Sequence, residues 1–328
     1  HVKISTDVNT ADSTSVKYAN IYGKLPVKSL AEGKGNFTLY FGPNDYHILS
    51  DVTEGFRKNL YLGWPPVVYV NRFILIPLFD LLNNFLGNYG LIIIIMVVII
   101  KLALSPLSYK SYVSMAKMKV LKPEIDKIKE EVGDDMTKVQ QEQMKLYQQV
   151  GVNPLSGCIP IVLQMPILFA MFYFFPQSIE LRQQSFLWAN DLSTYDSIAT
   201  LPFSIPGYGS HVSLFVLLMT LSTILFTWSN NQVSSVQGPM KTFSYLMPVI
   251  LMFVLNSFPA ALSFYYFVSN MLTFGQQALI RKFVDEDKIK AILEENRHKN
   301  KNKKKSKFQA RLEEAMKGSA EAKNKKNK

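Results

Sequence analysis

The sequence predicts an all-α polytopic membrane protein with five transmembrane helices and a cytoplasmic helical hairpin, preceded by a fragment of an extracytoplasmic β domain. Three observations predict it. Apolar residues are segregated, with Leu91–Ile100 unbroken while residues 299–307 read KNKNKKKSK. Five apolar stretches follow residue 89, each bounded by polar residues, Gly or Pro. Lys and Arg crowd into alternate connections, as the positive-inside rule requires.

Residues 1–63 are polar and turn-rich. Asn36–Phe41 (NFTLYF) running into Gly42-Pro43-Asn44-Asp45 predicts a strand and a turn at the end of a larger β domain. The chain opens at His1 without an initiator Met or a signal sequence, which points to a fragment or processed product with sequence missing upstream. Residues 64–89 start with Trp64-Pro65-Pro66. Phe73, Ile76, Leu78, Leu81, Leu82, Phe85 and Leu86 are interrupted there by Arg72, Asp80, Asn83 and Asn84. That amphipathic mixture predicts an interfacial helix, with a signal anchor as the alternative.

The five apolar stretches are residues 90–107, 158–176, 212–229, 243–256 and 258–279, and together they make a core over 90–280. Residues 108–157 hold eight lysines, 177–211 only Arg182, 230–242 only Lys241, and 281–328 seventeen Lys/Arg. These fall on one side only if the chain enters from outside at residue 90 and ends in the cytoplasm. The fourth stretch has fourteen residues, about 21 Å of helix against a hydrocarbon core of about 30 Å. Either it thins the bilayer locally or the helix runs past these bounds.

Residues 108–152 predict the hairpin. Met118, Leu121, Ile125, Ile128 and Val132 step by three and four, and Met136, Val139, Leu146 and Val150 resume the step after Gly133 and Asp134, which suit a C-cap and an N-cap. Each stripe is expected to satisfy only the other.

The charge excludes a nucleic-acid-binding fold. The net charge is +11, and residues 281–328 carry 17 Lys/Arg against 8 Asp/Glu, so the excess describes a basic cytoplasmic tail. Cys158 is the sole cysteine, which rules out an intrachain disulfide, and the four histidines show no metal-ligand spacing. No nucleotide loop, nucleophile elbow or zincin motif is present, so no cofactor, metal or catalytic residue is expected. Glu180, Arg182, Asp191 and Asp196 read as a solvated or interfacial loop.

The polar residues inside apolar stretches are the functional candidates. Lys101 interrupts the first one, and an ammonium there costs several kcal/mol unless it reaches water, a partner or a polar cavity. Snorkelling to the cytoplasmic face is the alternative. Gln164 sits beside Met165 and Pro166 in the second stretch, and the last carries Ser263, Tyr265, Tyr266, Ser269, Asn270, Gln276 and Gln277. Several such groups with a lysine point to a water-containing groove inside the bundle.

Six motifs carry a resemblance. Ser114–Lys119 (SMAKMK), Val152–Cys158 (VNPLSGC), Leu163–Pro166 (LQMP), Ile179–Gln183 (IELRQ), Trp188 with Asp191–Ser193 (DLS), and Tyr265–Asn270 (YYFVSN) resemble the bacterial YidC branch of the Oxa/Alb insertase superfamily, in order, from about residue 64 to about 282. The resemblance implies five helices around a hydrophilic groove open to cytoplasm and lipid. A cation in the first helix would attract polar or acidic substrate segments, and Lys101 stands where arginine is usual, keeping charge but losing the guanidinium fork. Gln164, Met165, Pro166, Tyr265, Tyr266 and Asn270 match groove or substrate-contact positions. The basic tail, with Lys303, Lys304 and Lys305, resembles ribosome-binding tails; simple topogenic charge is the alternative. The implied protein is a non-enzymatic insertase and chaperone of the bacterial inner membrane. Its implied partners are nascent membrane proteins, the ribosome, membrane lipids and, as a candidate, the Sec translocon, with no DNA. A small-solute transporter using Lys101 is the competing reading, but no internal repeat supports it. A lipid-modifying enzyme lacks a catalytic cluster.

Overall fold

The structure, a computed structural model, describes residues 2–7, 18–24, 40–133, 135–153, 159–233 and 239–300. Cys158, Asp134, Asn36 and the tail lysines Lys303, Lys304 and Lys305 lie outside the described residues. The protein is mostly helical with a small β part. Strands β1 (Val2–Asp7) and β2 (Tyr18–Gly23) form an antiparallel ribbon. The expected strand at Asn36–Phe41 is not seen at its described end, since Tyr40 and Phe41 are in no strand. A short helix α1 (Tyr46–Val52) follows instead, because the Asp45 carboxylate accepts from the Ile48 N–H at 2.8 Å and caps it.

Helices α2 (Val67–Val70) and α3 (Ile76–Asn83) are joined by a π-helical turn, Asn71–Leu75. Pro77 explains the widening: without an N–H it cannot close the bond to the carbonyl four residues back. Asn71 is fully buried and donates to the Leu62 carbonyl at 2.8 Å. One face of this segment (Val67, Leu75, Ile76, Phe79) is buried against the bundle, while Tyr69, Phe73, Ile74, Leu81 and Phe85 are exposed. Both faces are thus apolar.

All five apolar stretches are helical: α4 (Tyr89–Ala103), α8 (Ile159–Gln177), α9 (Leu214–Val233), α10 (Pro239–Leu255) and α11 (Ala260–Phe283). Two of the boundaries that differ from expectation bear on the argument. The first helix stops at Ala103 rather than 107 and meets α5 (Ser105–Val120) at a 63° bend. Pro106 forbids the continuation, because its ring excludes a helical hydrogen bond to Leu102. The fourth helix starts at Pro239, giving seventeen residues rather than fourteen, or about 25 Å. The helix thus runs past the expected bounds and is still shorter than a hydrocarbon core of about 30 Å. By length and composition alone, among the described residues, α9 holds the one stretch (Leu214–Asn231) sufficient to cross a membrane, and α4 with α5 qualifies only as a bent pair.

The first arm of the expected hairpin is two helices, α5 and α6 (Lys122–Val132), broken ahead of Pro123. Gly133, at φ 71°, ends α6, and α7 (Met136–Gln149) returns with Asp135 receiving the Lys138 N–H at 3.2 Å. The two stripes do not satisfy only each other. Helix α12 (Glu286–Asn300) lays Ile289 and Leu293 into the same cluster as Leu121, Ile125, Leu146 and Val150. Lys119–Glu286 at 2.7 Å and Arg297–Glu124 at 2.6 Å flank the contact. The start of the basic tail is thus a docked helix, which the charge count concealed.

The larger core joins α2–α4, α8, α9 and α11 and is rich in aromatics. The loop 178–198 and the ribbon β3–β4 (Ala199–Ile205, Gly209–Val212) close one end. Phe186 lies directly on Gly90, where an added Cβ would come within 2.1 Å of its ring. Contrary to a solvated loop, Asp196 is 3 % exposed. It accepts from Trp188 Nε1 at 2.9 Å, from the Leu214 and Phe215 N–H groups at 2.9 and 3.1 Å, and from the Ser213 hydroxyl, capping α9. The Thr194 and Leu192 carbonyls receive the Ala260 and Ala261 N–H groups and cap α11 in the same way. Glu180 is also partly sequestered: burial raises its carboxyl above the usual range, the Ser178 hydroxyl at 2.7 Å opposes the shift, and nearby Asp45 adds to it.

Candidate functional site: a lysine-centred polar seam

Lys101 sits in the last turn of α4 and is 8 % exposed. Its ammonium does not run along its own helix to the end, as a snorkelling lysine would. It crosses to two neighbours, donating to Gln164 Oε1 on α8 and Thr273 Oγ1 on α11, both at 2.9 Å. Among the described residues no carboxylate stands within ion-pair distance of it. Thr273 gives its own proton to the Ser269 carbonyl at 2.7 Å, so an oxygen lone pair faces the lysine. Gln164 Nε2 reaches Ser269 Oγ at 3.3 Å, and Gln276 donates to the Lys101 carbonyl at 3.0 Å, one of the acceptors a helix end leaves open.

The seam continues on the adjoining side of α11, toward α9. Asn270 donates to Ser222 and Thr223 of α9, each at 2.9 Å. Gln277 donates to Asn230 at 3.3 Å, and its buried Oε1 has no partner among the described residues. Arg281 extends the line, giving Nε to the Tyr112 hydroxyl at 2.7 Å and Nη2 to Ser229 at 3.3 Å. Residues 269, 270, 273, 276, 277 and 281 recur every three or four positions, so α11 carries a polar stripe through half its length.

The structure brings Lys101, Gln164 and Asn270 to this seam. Pro166 lies two residues from Gln164 inside α8, and it leaves the Val162 carbonyl without its helical donor. Met165 is exposed on the outer side of the same helix. Tyr265 is placed elsewhere: it is 2 % exposed in the aromatic core, its ring 6.0 Å from Phe175 and 5.7 Å from Tyr266. Thr273, Ser222, Thr223, Asn230 and Arg281 escaped the sequence reading. Thr273 was detectable, four residues after Ser269 on the same stripe. The α9 hydroxyls were not, because Ser and Thr in an apolar helix commonly bond their own backbone, as Thr220 does to Val216 at 2.8 Å. Among the described residues no group of His, Cys, Asp and Glu could hold a metal ion.

Comparison with known proteins shows the family. The family profile described as 60Kd inner membrane protein matches residues 81–288. A membrane protein insertase YidC of Amoebophilus asiaticus is 62% identical over 293 residues, covering 89% of this chain and 49% of the relative. The protein of the same description from Cytophaga hutchinsonii is 57% identical over 302 residues, covering 90% and 49%. That from Parabacteroides distasonis is 43% identical over 339 residues, covering 96% and 53%. The chain spans about half the length of the curated relatives it matches. The matched region contains the whole seam from Lys101 to Arg281, and on that match the chain belongs to the 60Kd inner membrane protein family, a family of membrane proteins.

Proposed function

We propose that this chain carries the insertion machinery of a bacterial inner-membrane protein insertase and chaperone. The observation that carries the reading is Lys101, a nearly enclosed ammonium held only by neutral oxygens in an apolar bundle. A cation so placed has its hydrogen bonds but no counter-charge, which an incoming anion or dipole would supply. In this reading α4, α8, α9, α10 and α11 span the membrane. Helices α5–α7 and α12 lie in the cytoplasm, the loop 178–198 and β3–β4 outside, and α2–α3 at the outer interface with their exposed aromatics in lipid. The lysines of α5–α7 and the single arginine of loop 178–198 support that orientation. The printed names of the relatives support the activity.

The seam is then the inner wall of a hydrophilic groove. Hydrogen-bonding groups along α11 replace water for the polar flank of a nascent segment, which lowers the several kcal/mol that each unpaired polar group costs in hydrocarbon. Burial of the segment's apolar side chains in lipid drives the step, so nothing in the scheme calls for nucleotide or metal. Lys303, Lys304 and Lys305 would hold the ribosome by phosphate contacts, and the Sec translocon is a candidate co-partner. Photo-crosslinking from positions 101, 164 and 270 to a ribosome-stalled nascent membrane protein tests the reading, with position 250, exposed on α10, as control. Crosslinks from the first three but not the last are expected; none from any position refutes it.

A further inference from the structure

A cavity of about 390 Å³ opens where α5, α9, α11 and the start of α12 meet, lined by Tyr112, Lys119, Trp228, Ser229, Arg281 and Glu286 among others. It shares Arg281, Tyr112 and Ser229 with the end of the seam, while Lys119, Trp228 and Glu286 lie outside it. We propose that this cavity binds the phosphate headgroup of a membrane phospholipid, whose acyl chain lies along α9. The proposal rests on the membrane reading above, because it puts the cavity at the cytoplasmic interface.

Three observations carry it. The Arg281 guanidinium is fixed by two neutral oxygens, Tyr112 and Ser229, and no carboxylate stands within ion-pair distance among the described residues. That is an oriented fork with an unanswered charge, suited to two phosphate oxygens. Lys119 is paired with Glu286 at 2.7 Å, so the charged lining sums to a single positive charge, which matches a phosphodiester. Trp228, at the cavity edge and 56 % exposed, ends an exposed stripe of Leu217, Leu221 and Leu225 on one face of α9. Tryptophan at a membrane–water boundary with leucines running away from it is the surface a headgroup and its chain would share. An acidic substrate side chain would answer the charge but would leave the stripe unexplained.

The test titrates the purified full chain in neutral detergent with dioleoyl phosphatidylglycerol and reads retained lipid by native mass spectrometry. Arg281→Gln should weaken retention about tenfold, as loss of a charge-assisted contact predicts, while Lys282→Gln, the neighbouring cation outside the lining, should change it less than about twofold. Arg281→Lys should fall between. Equal thermal unfolding midpoints for the three variants would assign the effect to binding. Equal retention by wild type and Arg281→Gln overturns the site. Displacement of the lipid by equimolar glycerol phosphate overturns the lipid in favour of a soluble anion, and displacement by an acidic peptide overturns it in favour of substrate. Extraction of the chain from vesicles by alkaline carbonate would instead overturn the membrane reading; an integrated chain that loses lipid with Arg281→Gln supports both.

Discussion

On the proposed insertase reading, replacing Lys101 should separate stability from insertion. Lys101→Ala removes two charge-assisted hydrogen bonds, both 2.9 Å, and leaves Gln164 Oε1 and Thr273 Oγ1 without that donor. At about 1–2 kcal/mol each, the loss is roughly 2–4 kcal/mol. The same change releases an ammonium from a site only 8 % exposed and without a carboxylate, which returns several kcal/mol, on the order of 3. The two nearly offset, so the variant should unfold within about 2 kcal/mol of wild type. Insertion has no such compensation. A substrate carboxylate about 4 Å from the ammonium gains about 4 kcal/mol at an effective dielectric of 20. Desolvation on entry takes back roughly two thirds, and a residual near 1.4 kcal/mol is about tenfold in rate. Lys101→Ala should therefore slow insertion of an acidic-tailed substrate about tenfold and of a matched neutral-tailed one far less. Lys101→Glu should be worse on the acidic tail, and Lys101→Arg should stay near wild type because charge matters more than the fork. The assay is insertion of ribosome-bound substrates into proteoliposomes, with unfolding in detergent measured alongside. Equal Ala-variant rates on both substrates, with normal expression and unfolding, would refute the role of the charge.

Two further predictions concern the outer end. Asp196→Ala removes the cap of α9 and strands the Trp188 indole and the Ser213 hydroxyl, so stability in detergent should fall by about 4 kcal/mol, and Asp196→Asn by roughly half that; a loss under about 1 kcal/mol for the alanine variant would contradict the capping role. Burial raises the Glu180 carboxyl above its unfolded value, so the folded state holds a proton that the unfolded state releases, and stability is fullest below the unfolded range and declines as pH rises through the folded one. Glu180→Gln should then unfold at higher temperature than wild type at pH 7.5, with the gap closing near pH 4; a gap that widens on acidification would contradict it.

How much of this was legible in the sequence follows from which forces leave a local trace. Apolar runs such as Leu91–Ile100 announce their helices by composition, because burial or lipid contact needs no partner to be specified. Prolines were legible but underweighted: Pro106 and Pro123 each set a helix boundary that hydropathy alone places elsewhere. The lysine was visible, but its direction was not, since snorkelling and inward-pointing lysines have the same local sequence. Only the partners Gln164 and Thr273, distant in sequence by 63 and 172 positions, decide between them. Asp196 misled for a related reason. A carboxylate in a polar loop reads as solvated until the fold aims an indole and a helix N-terminus at it. The docking of α12 was hidden by charge, because Ile289 and Leu293 stand among four Lys/Arg and four Asp/Glu at the start of a basic tail, and the cluster they join exists only in three dimensions.

The division of α11 explains why the insertase reading calls for a blind groove rather than a channel. Its first half, Ala260, Ala261, Leu262, Phe264 and Tyr265, is buried among aromatics from three directions. Phe175 packs on Tyr265, while Phe186 and Phe215 flank Phe264 at 5.0 and 5.1 Å. The stretch from Ser269 to Arg281 holds the seam's hydrogen bonds other than that from Lys101 to Gln164. A polar segment entering at the Arg281 end would find partners as far as Ser269 and then meet close-packed rings, which offer it none. Passing further would require the core to open, and cores packed this densely rearrange rather than deform. A solute transporter needs an opening of that kind in each cycle, on both sides of its site. An insertase does not, because its cargo leaves sideways once the polar flank has been relieved of part of the crossing. Sealing the Asn256 end with aromatics, held by the Asp196 and Asn256 networks, therefore matches a protein that moves chain segments without conducting small solutes.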